Sequence, residues 1–189
     1  MIRIGILGSI GSGKSYVAKY FRYPVFNADQ EVARLYKKNK NIFNKLNKIF
    51  PNYIYSFPVK KNEMSEAILA NKSNLNKIVK IVHLEVRKKM NIFLKKNKKK
   101  RIVILDIPLL LENKINNKKD VLVFVESKKL DILKRLKKRK NFNNKLYSKF
   151  RNIQLSASFK KKKSNFIIKN DFTKKTIKKE IRYILKQIL

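Results

Sequence analysis

Eight consecutive residues, Gly8-Ser9-Ile10-Gly11-Ser12-Gly13-Lys14-Ser15, match the pattern G-x-x-x-x-G-K-[ST] at every specified position. Glycine lets such a backbone curl until several N–H groups point at one anion. The lysine adds a mobile positive charge for terminal phosphates, and the serine hydroxyl is a hard oxygen ligand for Mg²⁺. The pattern therefore makes Gly8, Gly11, Ser12, Gly13, Lys14 and Ser15 a candidate cradle for a polyphosphate such as that of ATP. Tyr16 follows at the start of a helix. Two acids have spacings that could complete the chemistry. Asp106 ends the apolar run Ile102-Val103-Ile104-Leu105, where a carboxylate could support Mg²⁺ together with Ser15. Asp29 lies just beyond Pro24-Val25-Phe26 and is a candidate base or Mg²⁺ partner, or else only the N-cap of the helix that follows.

These groups need elements to hold them. Residues 2–7 read as a short buried strand and residues 14–21 as a helix, so strand, loop and helix come in the order that a phosphate loop requires. Residues 24–26, 102–106, 121–125 and 166–168 read as further strands, separated by helical patterns. Alternation of this kind predicts an α/β fold, a P-loop NTPase-type doubly wound parallel sheet. Ligands in such sheets bind beyond the carboxyl ends of the strands, which puts Asp29 and Asp106 on the edge of the phosphate loop and Asp120 on the opposite edge.

Residues 39–100 are mostly helical in pattern, interrupted near Pro51 and Pro58, and are too long for an ordinary crossover. They predict a helical insert for a second substrate, with Leu75, Ile78, Val79, Val82, Val86, Met90 and Phe93 as a buried stripe. His83, the sole histidine, and Arg87 stand four apart beside that stripe and could reach one ligand. Residues 128–140 predict a helix that buries Leu130, Leu133 and Leu136 and carries Arg135 and Arg139 on another face. The basic segment 141–163 reads as helical, and with Arg139 it forms a candidate lid over about 139–163. Lys160 to Lys163 read as a solvated charge run, and Glu112 reads as a structural cap or ion-pair partner at least as readily as a catalytic group.

The chain has 189 residues, with 49 Lys+Arg against 12 Asp+Glu, a formal charge of +37. One domain is expected. The charge would attract any polyanion. However, the lysines are spread along the whole chain among asparagine and isoleucine, which A/T-rich codons would also supply, so no specific nucleic-acid partner is expected. The absence of cysteine excludes disulfides and thiolate metal sites. The longest apolar run, residues 102–111, contains Asp106 and Pro108 and is too short to span a bilayer. A cytoplasmic protein without a membrane association, monomeric by preference, is the expectation.

Taken together, the phosphate-loop octet, Ala28-Asp29, His83 with Arg87, Asp106-Ile107-Pro108-Leu109-Leu110-Leu111-Glu112, Arg135 and Arg139, Gln154 and Asn170 resemble dephospho-coenzyme A kinase over nearly the whole chain. The resemblance implies ATP-dependent phosphorylation of the 3′-hydroxyl of dephospho-coenzyme A, with Mg²⁺. It implies Asp29, Lys14 and Arg139 as catalytic residues, and Asn170 near the adenine. It also implies Asp29, His83, Arg87 and Leu109 on the acceptor side. The sequence departs from the family pattern at Asn27, where an acid is common, and at Leu84, where a proline commonly follows the histidine. It departs also at Lys149, in place of an arginine, and at Ser164-Asn165, in place of Ala-Asp. Another small nucleoside or nucleotide kinase, a basic nucleic-acid-binding P-loop ATPase, and a P-loop protein that binds nucleotide without turnover share much of this pattern.

Overall fold

The computed structural model describes residues 1–139 and 142–189. A five-stranded, all-parallel sheet has the order β2-β3-β1-β4-β5, with β1 Ile2–Gly8, β2 Val25–Asn27, β3 Ile102–Asp106, β4 Val121–Glu126 and β5 Phe166–Lys169. The chain winds first to one side of β1 and then to the other. The carboxyl end of β1 therefore lies where the winding reverses, the place where open α/β sheets bind ligands.

The contacts divide the chain into two compact units. The first comprises Met1–Asn27, Lys96–Phe142 and Gln154–Leu189, and the second Ala28–Lys95 and Asn143–Ile153. In the first unit, Ile4 and Ile6 of β1 and Ile102 and Ile104 of β3 point to one face of the sheet. There they bury Val17, Ala18 and Phe21 around α1 (Lys14–Tyr20) together with Ile177, Ile181 and Ile184 of the closing helix Lys174–Ile188. Alternate residues face the other side. A Cβ on Gly5 would come within 2.6 Å of Leu110 Cδ2, so glycine here admits the apolar segment that leaves β3. At the amino edge of the sheet Arg3 pairs with Asp120 at 2.9 Å, the edge expected for that acid.

The second unit holds α2 (Ala28–Lys38), α3 (Lys40–Ile49), α4 (Lys61–Ala70), α5 (Asn74–Lys96) and α7 (Asn144–Asn152). Leu75, Ile78, Val82, Val86 and Met90 of α5 are buried, while Val79 and Phe93 are half-buried. Leu84 lets α5 run through the position after His83 without a break. Glu63, fully buried, accepts from the backbone N–H groups of Tyr55 and Ser56, both at 3.3 Å, and from the Ser56 hydroxyl, and so ties down the loop between α3 and α4. Lys149 of α7 donates to the carbonyls of Ile68, Leu69 and Asn71 at 2.6, 3.1 and 3.0 Å. It thereby serves the unsatisfied end of α4 and its negative dipole.

Four expectations need correction. Asp29 is not an N-cap: α2 begins at Ala28, and Asp29 lies inside its first turn, where its charge suits the helix dipole. Leu130 is 72% exposed; α6 (Lys129–Lys137) buries Ile132 and Leu136 because it packs with a different phase. The basic segment is not one helix. It divides into α7 and α8 (Ala157–Lys162), since Ser156 caps a new start by accepting from Phe159 N at 3.2 Å. Lys160 is not solvated but 2% exposed. Residues 140 and 141, part of the expected helix and lid, lie outside the described residues.

Candidate active site

The phosphate loop connects β1 to α1. Gly8, Gly11 and Gly13 all adopt positive φ. Gly13, at φ 90°, is the N-cap of α1, and a Cβ there would lie 2.5 Å from Asn170 Nδ2. That close approach has a purpose. Asn170, buried after β5, donates from Nδ2 to the Ser12 carbonyl at 2.8 Å, and the Ser127 hydroxyl after β4 donates to the same oxygen at 3.0 Å. The loop is therefore braced by the exits of β4 and β5. The Asn170 Oδ1 atom accepts from Phe172 N at 2.9 Å, and the Arg135 guanidinium lies 4.1 Å from the centre of the Phe172 ring. This aromatic–cation pair was not legible as a pair, since its members are 37 positions apart (172 − 135) and meet only through the sheet.

Lys14 Nζ donates to the Gly8 and Ser9 carbonyls at 3.1 and 2.8 Å, holding its charge across the loop. Ser12 Oγ is buried without a hydrogen-bond partner, although every buried hydroxyl favours one. Asp106 is 2% exposed and is hydrogen-bonded to the Ser15 side chain and, at 2.5 Å, to Asn27 Nδ2. Burial pushes the Asp106 carboxyl above its ordinary range. Ser15, the Lys14 charge and Asn27 pull it back, so several donors hold the ionised form in place.

This donor set suits Mg²⁺, which is bound by one or two oxygen side chains plus phosphates and water rather than by a full protein cage. Among the described residues no group of three or more His, Cys, Asp or Glu could hold a metal without such help. Ser15 and Asp106 are the residues that would hold the ion.

The remaining candidates are distributed as follows. Tyr16 is half-buried, and its hydroxyl lies 3.0 Å from that of Tyr20. Arg139 is exposed in the turn that closes α6, its N–H bonded to the Leu136 carbonyl at 3.1 Å. Leu109 is half-buried in the segment after β3. Asp29, His83 and Arg87 belong to the second unit, Asp29 exposed on α2 and the other two on α5. The half-buried His83 has an Nε2 atom without a hydrogen-bond partner, and burial and the Arg87 charge push its imidazole below the usual range. Asn165, in place of the expected acid, exchanges hydrogen bonds with the Leu122 backbone, both at 2.8 Å, and starts the β4–β5 ladder.

A parallel sheet with a phosphate loop at its winding reversal, a lysine across the loop and a serine–aspartate pair beside it define a P-loop nucleotide-binding fold. Solved structures share the fold: a protein from Thermus thermophilus (TM-score 0.77, 23% identity, covering 100% of this chain and 98% of that one) and a dephospho-CoA kinase from Campylobacter jejuni (TM-score 0.62, 21% identity, 98% and 96%). A dephospho-CoA kinase from Wolbachia pipientis wMel is 33% identical over 187 residues, covering 96% of this chain and 95% of the relative. One from Bartonella henselae is 30% identical over 191 residues, covering 98% and 97%. The family model for dephospho-CoA kinase matches residues 2–176, and the chain belongs to that family. No helix among the described residues is long and apolar enough to cross a membrane.

Proposed function

We propose that the chain transfers the γ-phosphoryl group of ATP to the 3′-hydroxyl of dephospho-coenzyme A, giving coenzyme A and ADP, the last step of coenzyme A biosynthesis. The observation that carries this reading is the Ser15–Asp106 hydrogen bond, with the Lys14 charge beside it, in a chain matched to the family over residues 2–176. The phosphate loop, through Gly8, Gly11, Ser12, Gly13 and the first turn at Tyr16, binds the ATP phosphates with backbone N–H groups and the α1 dipole. Lys14 neutralises charge on the transferring group, and Arg139 adds a second cation from the lid. Mg²⁺, held by Ser15 and Asp106, would neutralise charge on the phosphate oxygens. Asp29 orients the attacking hydroxyl and accepts its proton.

His83, Arg87 and Leu109 serve the acceptor. With its charged form disfavoured, His83 offers a neutral imidazole whose Nε2 can pair with a polar group of that substrate. Asn170 braces the loop on the adenine side, where the Arg135–Phe172 pair also lies against the Asn170 turn. In this reading residues 39–100 are the insert for the second substrate, and about 139–163 are the lid.

The test is to incubate the purified chain with ATP, Mg²⁺ and dephospho-coenzyme A, follow coenzyme A by chromatography, and run K14A and an RNA-containing mixture in parallel. Coenzyme A formed only by the unaltered chain supports the kinase. The charge of +37 favours one second reading, a nucleic-acid-stimulated ATPase, which predicts no coenzyme A and RNA-accelerated ATP hydrolysis that salt suppresses.

A further inference from the structure

Of the four consecutive lysines 160–163, only Lys160 is buried, with 2% of its side chain exposed. Its helix, α8, packs along β1, and Lys160 stands four residues beyond the capping Ser156, on the inward face. A buried ammonium needs a partner, and this one has two. Lys160 Nζ lies 2.7 Å from Glu112 Oε1 and donates to Gln154 Oε1 at 3.3 Å. The same Glu112 oxygen accepts from Leu155 N at 3.0 Å, and the Glu112 side chain is itself only 9% exposed. One carboxylate oxygen thus gathers two donors from the stretch 155–160.

The positions of these partners in the chain give the cluster its interest. Glu112 lies in the turn that leaves β3 after Asp106. Gln154 is the first residue of the first compact unit after 143–153, the stretch that carries α7 and groups with the second unit. The cluster therefore fastens the arm formed by residues 154–160 to the turn that follows the Asp106 strand. Burial economy does not require an ion pair, since apolar residues of similar volume would be as stable or more so. A directional contact specifies where the arm attaches.

We propose that Lys160 and Glu112 are positioning residues for phosphoryl transfer, a buried ion pair that holds residues 154–160 against the turn after β3 and so keeps Asp106 in register beside Ser15 during turnover. The proposal rests on the kinase reading above. The substrate-touching groups lie elsewhere, so loss of the pair should lower kcat far more than it changes the KM for ATP.

The decisive variant is the double replacement Lys160→Met/Glu112→Leu, which leaves no lone charge, compared with each single replacement and with Gln154→Leu. Melting temperature, kcat, KM for ATP and amide hydrogen exchange of residues 153–160 are measured for each. The singles should melt lower because each strands a buried charge. The double should recover most of that loss, yet turn over about tenfold more slowly, with KM for ATP changed less than about twofold and faster exchange at 153–160. A double variant with unaltered kcat and exchange would overturn the proposal and leave the pair a packing feature. If the double variant does not fold, Gln154→Leu decides: slower turnover with faster exchange supports the anchor, and unaltered values overturn it. If the unaltered chain makes no coenzyme A, the kinase reading fails separately, and unchanged exchange in the double variant overturns the anchor as well.

Discussion

Asn27 and Asp106 are side-by-side partners in the parallel register of β2 and β3, and the Asn27 amide donates to Asp106 Oδ2 at 2.5 Å. An acid at position 27 would set two carboxylates against each other. Asparagine instead supplies a donor that holds the buried carboxylate in its ionised form.

Asn27→Ala should therefore cost about 2 kcal/mol near neutral pH, the scale of a hydrogen bond to a charged group. The sign with pH follows from burial. Asp106 is already raised above its unfolded value, and loss of Asn27 raises it further. A raised carboxyl costs nothing where both states are protonated, and it costs increasing stability as pH rises through the folded value. Urea titrations should show a penalty that shrinks toward about pH 4; an equal penalty at both pH values would assign Asn27 to packing alone.

Lys14→Ala and Asp29→Asn should separate binding from chemistry. Lys14, held by the Gly8 and Ser9 carbonyls, serves both ATP affinity and the transition state, so its loss should abolish measurable transfer. Asp29→Asn should lower kcat by about 10²–10⁴-fold with little change in ATP affinity. Equal losses in both quantities would make Asp29 a structural residue of α2.

Gly13→Ala should weaken the nucleotide site and the fold together. The φ of 90° costs an alanine about 1–2 kcal/mol, and the added Cβ would meet Asn170 Nδ2 at 2.5 Å. Thermal melts with and without MgATP should show both a lower transition and the loss of the ATP-induced rise. A retained rise would mean that the Asn170 brace can yield.

Lys149→Met keeps the aliphatic stem but removes the donor to three carbonyls at the end of α4. We expect a loss of about 1–2 kcal/mol in urea unfolding. Lys149→Arg should recover part of it, because a guanidinium also reaches several acceptors.

The local parts of this protein were legible because their signals are local. The glycine spacing of residues 8–15 demanded a turn of positive φ, and the apolar run closing on Asp106 marked a buried strand with its acid at the carboxyl end. The five strands, their alternation with helices and the stripe on α5 followed from the same short-range periodicities. Helix phase was harder to read. Leu130 fits the helical spacing of Leu133 and Leu136, yet α6 turns Ile132 inward, because the choice between two apolar stripes depends on what packs against them.

By itself the sequence determined the phosphate loop, the parallel α/β architecture and the place of Asp106 at the carboxyl end of its strand, since each depends on backbone geometry and strand direction that a few neighbouring residues dictate. Only the tertiary structure decided that Asn170 braces the Ser12 carbonyl, that Arg135 lies over Phe172, and that Lys160 alone among four lysines is buried on Glu112. These are contacts between residues far apart in the chain. Their partners are chosen by strand order and helix packing, and a lysine surrounded by lysines gives no sign of its burial until a carboxylate from another segment meets it in the interior.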